Sequence, residues 1–192
     1  MTKIALFASG NGSNVQAMID AIERNKLSAT IELLVCDRPN AYVIERAKQA
    51  GIEVFVFQAK TFSSKEEYEK VILSKLQQKE IKWIVLAGYM RLIGRVLLTS
   101  YEKRIINIHP SLLPAFAGKD AVGQAIDYGV KVMGVTVHFV DEGMDTGPII
   151  SQCSFHVEDK MERSDIELKI HQIEHQLYPS TLQKLFNQNI QN

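Results

Sequence analysis

A short apolar run over residues 4–8 passes directly into Ser9-Gly10-Asn11-Gly12-Ser13-Asn14, and Val15, Met18, Ile19 and Ile22 follow at helical spacing. A buried strand that turns through glycines into an amphipathic helix opens a βα unit. Such units stack into a parallel sheet with helices on its faces. The alternation continues: residues 31–36 predict a second strand, 42–50 a helix stopped at Gly51, 54–57 a third strand and 83–87 a buried-type strand. Before the last of these, Ser64 and Glu67 form a capping box ahead of an apolar stripe of Tyr68, Val71, Ile72 and Leu76.

The second half changes character. Residues 105–109 predict a strand, followed by a loop bounded by Pro110 and Pro114, and 120–128 predict a helix. Residues 132–140 and 148–157 are long enough to pair across the loop between them, which adds antiparallel character. Ser164 and Glu167 suggest another capping box. Ile166, Ile170, Ile173 and Leu177 then stripe a long C-terminal helix that Pro179 should kink. The expected fold is α/β: a mostly parallel twisted sheet flanked by helices, with a Rossmann-like N-terminal half and a mixed C-terminal half. It is read as a single domain, 1–192, with no linker and no repeat.

Composition narrows the partners. Apolar residues are 46% of the 192, enough for a sizeable core, and 22 basic residues balance 22 acidic ones. That balance argues against nucleic acid or a membrane surface as the main partner and favours small-molecule substrates. No run approaches the roughly 18 apolar residues of a membrane span. The run at 4–8 is too short for a signal peptide, and Cys36 and Cys153 make no disulfide framework. A reducing, cytoplasmic location is the expectation.

Four places carry candidate chemistry. The glycine turn after the first strand lets backbone N–H groups approach an anion at a helix N-terminus, although an ordinary strand-to-helix turn would read the same way. It lacks the ending of a P-loop and the third glycine of a dinucleotide fingerprint, but Asp37 after the second strand keeps a nucleotide reading open. Asn107 and His109 sit two apart at the end of a strand, so they face one side, and an amide beside an imidazole suits a developing oxyanion. Two residues capping their own loop explain that pair equally well. The loop Asp141-Glu142-Gly143-Met144-Asp145-Thr146-Gly147-Pro148 is acidic and glycine-rich, and on its own reads as solvated. Finally, His171-Gln172-Ile173-Glu174-His175 matches an inverted zinc-protease pattern, but no Asp or Glu follows to complete a ligand set, so no metal is expected.

Asn107-Ile108-His109-Pro110-Ser111-Leu112-Leu113-Pro114, followed by the loop from Asp141 to Pro148, resembles the signature of the folate-dependent formyltransferases. The glycine turn, with Gly88-Tyr89-Met90-Arg91 midway, narrows the resemblance to the branch that formylates a phosphoribosylated glycinamide in purine biosynthesis. It covers essentially the whole chain. Relatives acting on methionyl-tRNA or hydrolysing formyl-folate carry extra domains that do not fit in 192 residues.

The resemblance implies residue roles. Asn107, His109 and Asp145 would be catalytic, with His138 in support. Gly12, Ser13 and Asn14 would hold the substrate phosphate and Glu174 the ribose, with His171 near that end. Met90, Arg91, Leu92 and Ile93 would line the pterin slot together with Val140, Asp141, Glu142, Gly143 and Met144. Lys65 would lie near the folate tail, and the Leu113–Pro114 bond would be cis. On this reading residues 1–100 bind the phosphorylated substrate, and 101–192 carry the catalytic and folate-binding groups. The co-substrate would be 10-formyltetrahydrofolate, without a metal, in a monomer or homodimer. Ala117, where relatives often carry Pro, and the histidine-free stretch from Lys119 to Val122 depart from the pattern, in a loop over the folate. Rival readings are hydrolysis of formyl-folate, formylation of another amine, or a nucleotide-binding module without chemistry.

Overall fold

In the computed structural model, which describes residues 1–189, strand β1 (Thr2–Ala8) lies in the interior of the sheet. Its side chains alternate between two cores. Ile4, Leu6 and Ala8 enter one, and Ala5 and Phe7 the other. A strand buried on both faces needs helices on both sides, which is why its sequence is continuously apolar rather than alternating.

The chain leaves β1 through the glycine turn into α1 (Ser13–Glu23), returns as β2 (Ala29–Cys36), and passes through α2 (Val43–Gln49) to β3 (Val54–Val56). It then crosses back through α3 (Lys65–Gln78) to β4 (Trp83–Leu86), on the other side of β1, and continues through α4 (Arg95–Ser100) to β5 (Ile105–His109). These five strands are parallel. After α5 (Ala121–Tyr128), β6 (Val132–Phe139) and β7 (Ile149–His156) join antiparallel, completing a seven-stranded sheet in the order β3-β2-β1-β4-β5-β6-β7. The last helix, α6 (Arg163–Asn189), packs beside α1. The α/β expectation and the antiparallel pairing of the last two strands both hold.

Because β1 sends the chain towards β2 and β4 sends it towards β5, a crevice opens where their C-terminal ends diverge. Open α/β sheets bind ligands at such a point.

Helix ends show where local signals were sufficient. Ser64 Oγ accepts the Glu67 N–H at 3.2 Å, as the first capping box requires, but Glu67 Oε2 returns to Ser63 rather than Ser64. The second box is not made. Helix α6 begins at Arg163, Glu167 binds Arg163 Nε, and Asp165 takes the Glu162 N–H instead. Pro179 lies within α6 without interrupting it. Beside it, the buried Tyr178 hydroxyl donates to the Leu86 and Ile106 carbonyls at 2.9 and 3.0 Å, tying the helix to the sheet. Helix α4, absent from the sequence reading, is only six residues long, less than two turns and too short for a periodic stripe.

Candidate active site

Antiparallel pairing of β5 with β6 sets Asn107 opposite His138. The Asn107 amide nitrogen lies 3.2 Å from His138 Nε2, while His138 Nδ1 meets the Phe139 carbonyl at 2.7 Å. The loop after β6 then returns over the end of β5. Asp145, in left-handed backbone (φ 57°), brings Oδ2 to 3.4 Å from His109 Nδ1 and Oδ1 to 3.4 Å from the Asn107 amide. The three residues named from the signature thus converge, although they come from different segments. His109 is 6% exposed.

Both nitrogens of His109 face acceptors: Asp145 at Nδ1, and the Phe116 carbonyl at Nε2 at 2.9 Å. Burial pushes the Asp145 carboxyl up, but the His138 ring, the Gly118 N–H at 2.9 Å and the charge of the His109 ring outweigh it. They hold the carboxyl below the usual range. Asp145 therefore faces the His109 ring as an ionised carboxylate.

This cluster lies in a cleft of about 800 Å³. At one end is the glycine turn. Gly12 has φ 80°, and Ser13 and Asn14 open α1 with their N–H groups free of the first-turn ladder. Glu174, on α6, reaches the same end, accepting from Asn14 Nδ2 at 3.3 Å and from His171 Nδ1 at 3.0 Å. The chain after β4 also lines the cleft, presenting Met90 and Leu92, 68% and 51% exposed, and Met144 lines it as well. Arg91, Ile93, Val140, Asp141 and Gly143 complete that wall.

Two predicted residues fall elsewhere. Glu142 is exposed and does not line the cleft. Lys65 opens α3, with its stem beside Gly94, and is also outside the lining. The Leu113–Pro114 bond is cis. Asp37, which kept a nucleotide reading open, is already engaged by Ser9 and Arg91. His171 and His175 stack at 6.1 Å, and among the described residues no group of three or more potential ligands is arranged for a metal.

Sequence reasoning missed Arg46. Its Nε and Nη2 both donate to Asn11, to the carbonyl and to the side chain, at 2.9 Å, and Nη1 reaches Gln16 at 3.2 Å, so it braces the glycine turn. No signal in the sequence separates it from any arginine on a solvated helix face. The Phe116 and Gly118 backbone groups, which bind His109 and Asp145, are equally silent in sequence.

A switch-point cleft that joins a glycine turn at a helix N-terminus to a wall with exposed Met90 and Leu92, with an amide, an imidazole and a carboxylate beside them, has the make-up of an acyl-transfer enzyme of α/β fold. The chain belongs to the formyl transferase family, whose model matches residues 2–182. It is 51% identical over 189 residues to the phosphoribosylglycinamide formyltransferase of Bacillus subtilis, covering 98% of this chain and 97% of that protein. The enzyme of the same name from Escherichia coli is 37% identical over 176 residues, covering 92% and 83%. Among solved structures, glycinamide ribonucleotide transformylase 1 from Geobacillus kaustophilus superimposes with a TM-score of 0.94 at 55% identity, covering 96% of this chain and 98% of that one. No described helix is long and apolar enough to cross a membrane.

Proposed function

We propose that this chain transfers the formyl group of 10-formyltetrahydrofolate to the amine of glycinamide ribonucleotide, giving the formylglycinamide ribonucleotide of purine biosynthesis. The observation that carries the reading is the meeting of Asn107, His109 and Asp145 between the glycine turn and the apolar wall. It supports a reaction between a phosphorylated substrate at one end and a flat heteroaromatic co-substrate at the other.

Backbone N–H groups of Gly12, Ser13 and Asn14 hold the phosphate, favoured by the α1 N-terminus. Glu174 accepts from the ribose hydroxyls. The pterin lies along Met90, Arg91, Leu92 and Ile93, facing Val140 and Met144. In this division of labour residues 1–100 contribute the phosphate turn, and 101–192 the catalytic groups and the rest of the folate slot.

The neutral amine attacks the formyl carbon on N10, forming the new C–N bond and a tetrahedral oxyanion. His109 Nδ1 is turned to Asp145, so Nε2 is the nitrogen that donates to the oxyanion, and the Phe116 carbonyl gives way to it. The Asn107 amide exchanges its long contact with Asp145 for the same oxygen. Fixed donors aimed at developing charge are the largest expected contribution to the rate. The bond to N10 then breaks, and the proton lost by the attacking amine reaches N10 through Asp145 and a water. The reaction needs neither a covalent enzyme intermediate nor a metal.

The test supplies folate carrying an isotope-labelled formyl group, with and without glycinamide ribonucleotide. Label should appear in the ribonucleotide, with little turnover when it is omitted. Rapid release of labelled formate from the folate alone would make the enzyme a hydrolase. Labelling of a different amine would move the specificity elsewhere.

A further inference from the structure

The segment that carries the proposed pterin wall, residues 88–94, lies in neither helix nor strand. It nevertheless presents large apolar side chains to the cleft. A chain with no hydrogen-bond ladder of its own takes its shape from groups that hold it from outside.

The holds are specific. Ser9 N–H donates to the Gly88 carbonyl at 3.0 Å. Ser9 Oγ accepts the Met90 N–H at 2.9 Å and donates to Asp37 Oδ1 at 2.5 Å. The second oxygen of Asp37 accepts from Arg91 Nε at 2.9 Å. At the far end Glu69 Oε1, from α3, accepts the Gly94 N–H at 2.6 Å. Gly94 leaves room for this acid, because an added Cβ would stand 2.7 Å from Glu69 Oε2. The Asp37 side chain is 5% exposed and Glu69 is 2% exposed. Neither lines the cleft.

Burying a carboxylate is unfavourable unless it is hydrogen-bonded, and packing alone at these two places calls for apolar residues. Asp37 instead accepts from Arg91 and from the Ser9 hydroxyl that holds the Met90 N–H, and Glu69 accepts the Gly94 N–H, so both acids act on one stretch of chain. We propose that Asp37 and Glu69 are positioning residues for the folate: Asp37, through Ser9 Oγ and Arg91, and Glu69, at Gly94, hold the backbone of Met90, Arg91, Leu92 and Ile93 in the shape on which the pterin docks. The inference rests on the reading of residues 90–93 as the pterin wall. The clamp meets the glycine turn only at Ser9, whereas the proposed phosphate contacts begin at Gly12 and Arg46 braces the turn at Asn11. The larger effect is therefore on the folate.

The test uses Asp37→Asn and Glu69→Gln in the full chain, each keeping the shape and removing the charge. Ser9→Ala removes only the hydroxyl link. KM is measured for both substrates, with kcat and amide hydrogen exchange over residues 88–94. Losing one of these hydrogen bonds should raise the folate KM about tenfold in the Asp37 and Glu69 variants, several times more than the ribonucleotide KM, with kcat within about twofold and faster exchange over the segment. Unchanged exchange together with an unchanged folate KM overturns the clamp and leaves the folate assignment standing. Faster exchange with a rise in the ribonucleotide KM alone overturns the assignment of residues 90–93, and the clamp's role with it. An equal rise in both KM values marks general loosening and also overturns the proposal. If the acid variants do not fold, Ser9→Ala decides by hydrogen exchange over residues 88–94 and the folate KM, and an unchanged value of both overturns the clamp.

Discussion

Asp145 Oδ2 stands 3.4 Å from His109 Nδ1 while accepting the Gly118 N–H at 2.9 Å, so one carboxylate binds both the imidazole and the loop beside it. The loop in turn places the Phe116 carbonyl on the other nitrogen of the same ring. Catalytic groups and covering loop therefore form one hydrogen-bonded unit, and removing the charge at its centre has consequences in both.

Asp145→Asn keeps the shape of the side chain and an oxygen for Gly118. It removes the charge facing His109 and the acceptor on the proton path. General acid–base groups and oxyanion donors each contribute on the order of 10²–10⁴-fold, so kcat should fall roughly 10³-fold in steady-state kinetics. A variant keeping more than about a tenth of wild-type kcat would reduce Asp145 to a loop-structuring residue. Asp141 is a poor replacement, because its Oδ1 is occupied by Gly143 N–H and Thr146 Oγ1.

The same carboxylate makes stability depend on pH. Its folded value is below the ordinary 3.8, so its contribution is present above that pH and is lost as pH falls through the lowered folded value. The melting-temperature difference between wild type and Asp145→Asn should therefore change in acid as pH falls below 3.8. A difference that stays flat through that window would show the two states binding protons alike.

Gly12 sits at φ 80°, and a Cβ added there would lie 2.7 Å from the Val43 Cβ. Gly12→Val should raise KM for the phosphorylated substrate at least about tenfold and lower Tm, because it strains the turn as well as blocking backbone approach to the phosphate. The folate KM should move little. Equal weakening of both substrates would count against the phosphate assignment.

Tyr178→Phe tests the tie between α6 and the sheet. It strips a buried donor from the Leu86 and Ile106 carbonyls, which should cost about 1–3 kcal/mol. Thermal unfolding should shift down by about 2–10 °C with kcat within about twofold. An unchanged Tm would mean the carbonyls find other donors.

His171 and His175 should titrate on opposite sides of the ordinary 6.5. The hydrogen bond to Glu174 raises His171 against partial burial, while burial lowers His175. The His171–Glu174 contact thus stabilises the fold below pH 6.5 and is lost as pH rises through the raised value, modestly because His171 is largely exposed. Two-dimensional NMR of the imidazole protons reads both values, and coincident midpoints would refute the assignment. Neither signal should respond to zinc or a chelator.

The alternation of strands and helices, the glycine turn and the strand-end pair Asn107 and His109 were all legible from sequence. Each rests on local physics: side-chain period, φ freedom at Gly12, and the two-residue repeat of a strand. Helix α4 was too short to show a period, and the box at Ser164 failed because Arg163 had already begun the helix.

Other relationships required the folded chain. His138 faces Asn107 only because β6 pairs antiparallel with β5 in one register, and a shift by one residue would turn it to the opposite face. Asp145 reaches His109 only because its loop folds back in left-handed backbone. Asp37 reads in sequence as a candidate nucleotide contact, but Arg91 and Ser9, from two other segments, occupy its carboxylate. Neighbours along the chain set secondary structure through short-range sterics. The partner of a charged side chain is chosen by sheet order and register, which depend on burying two cores at once.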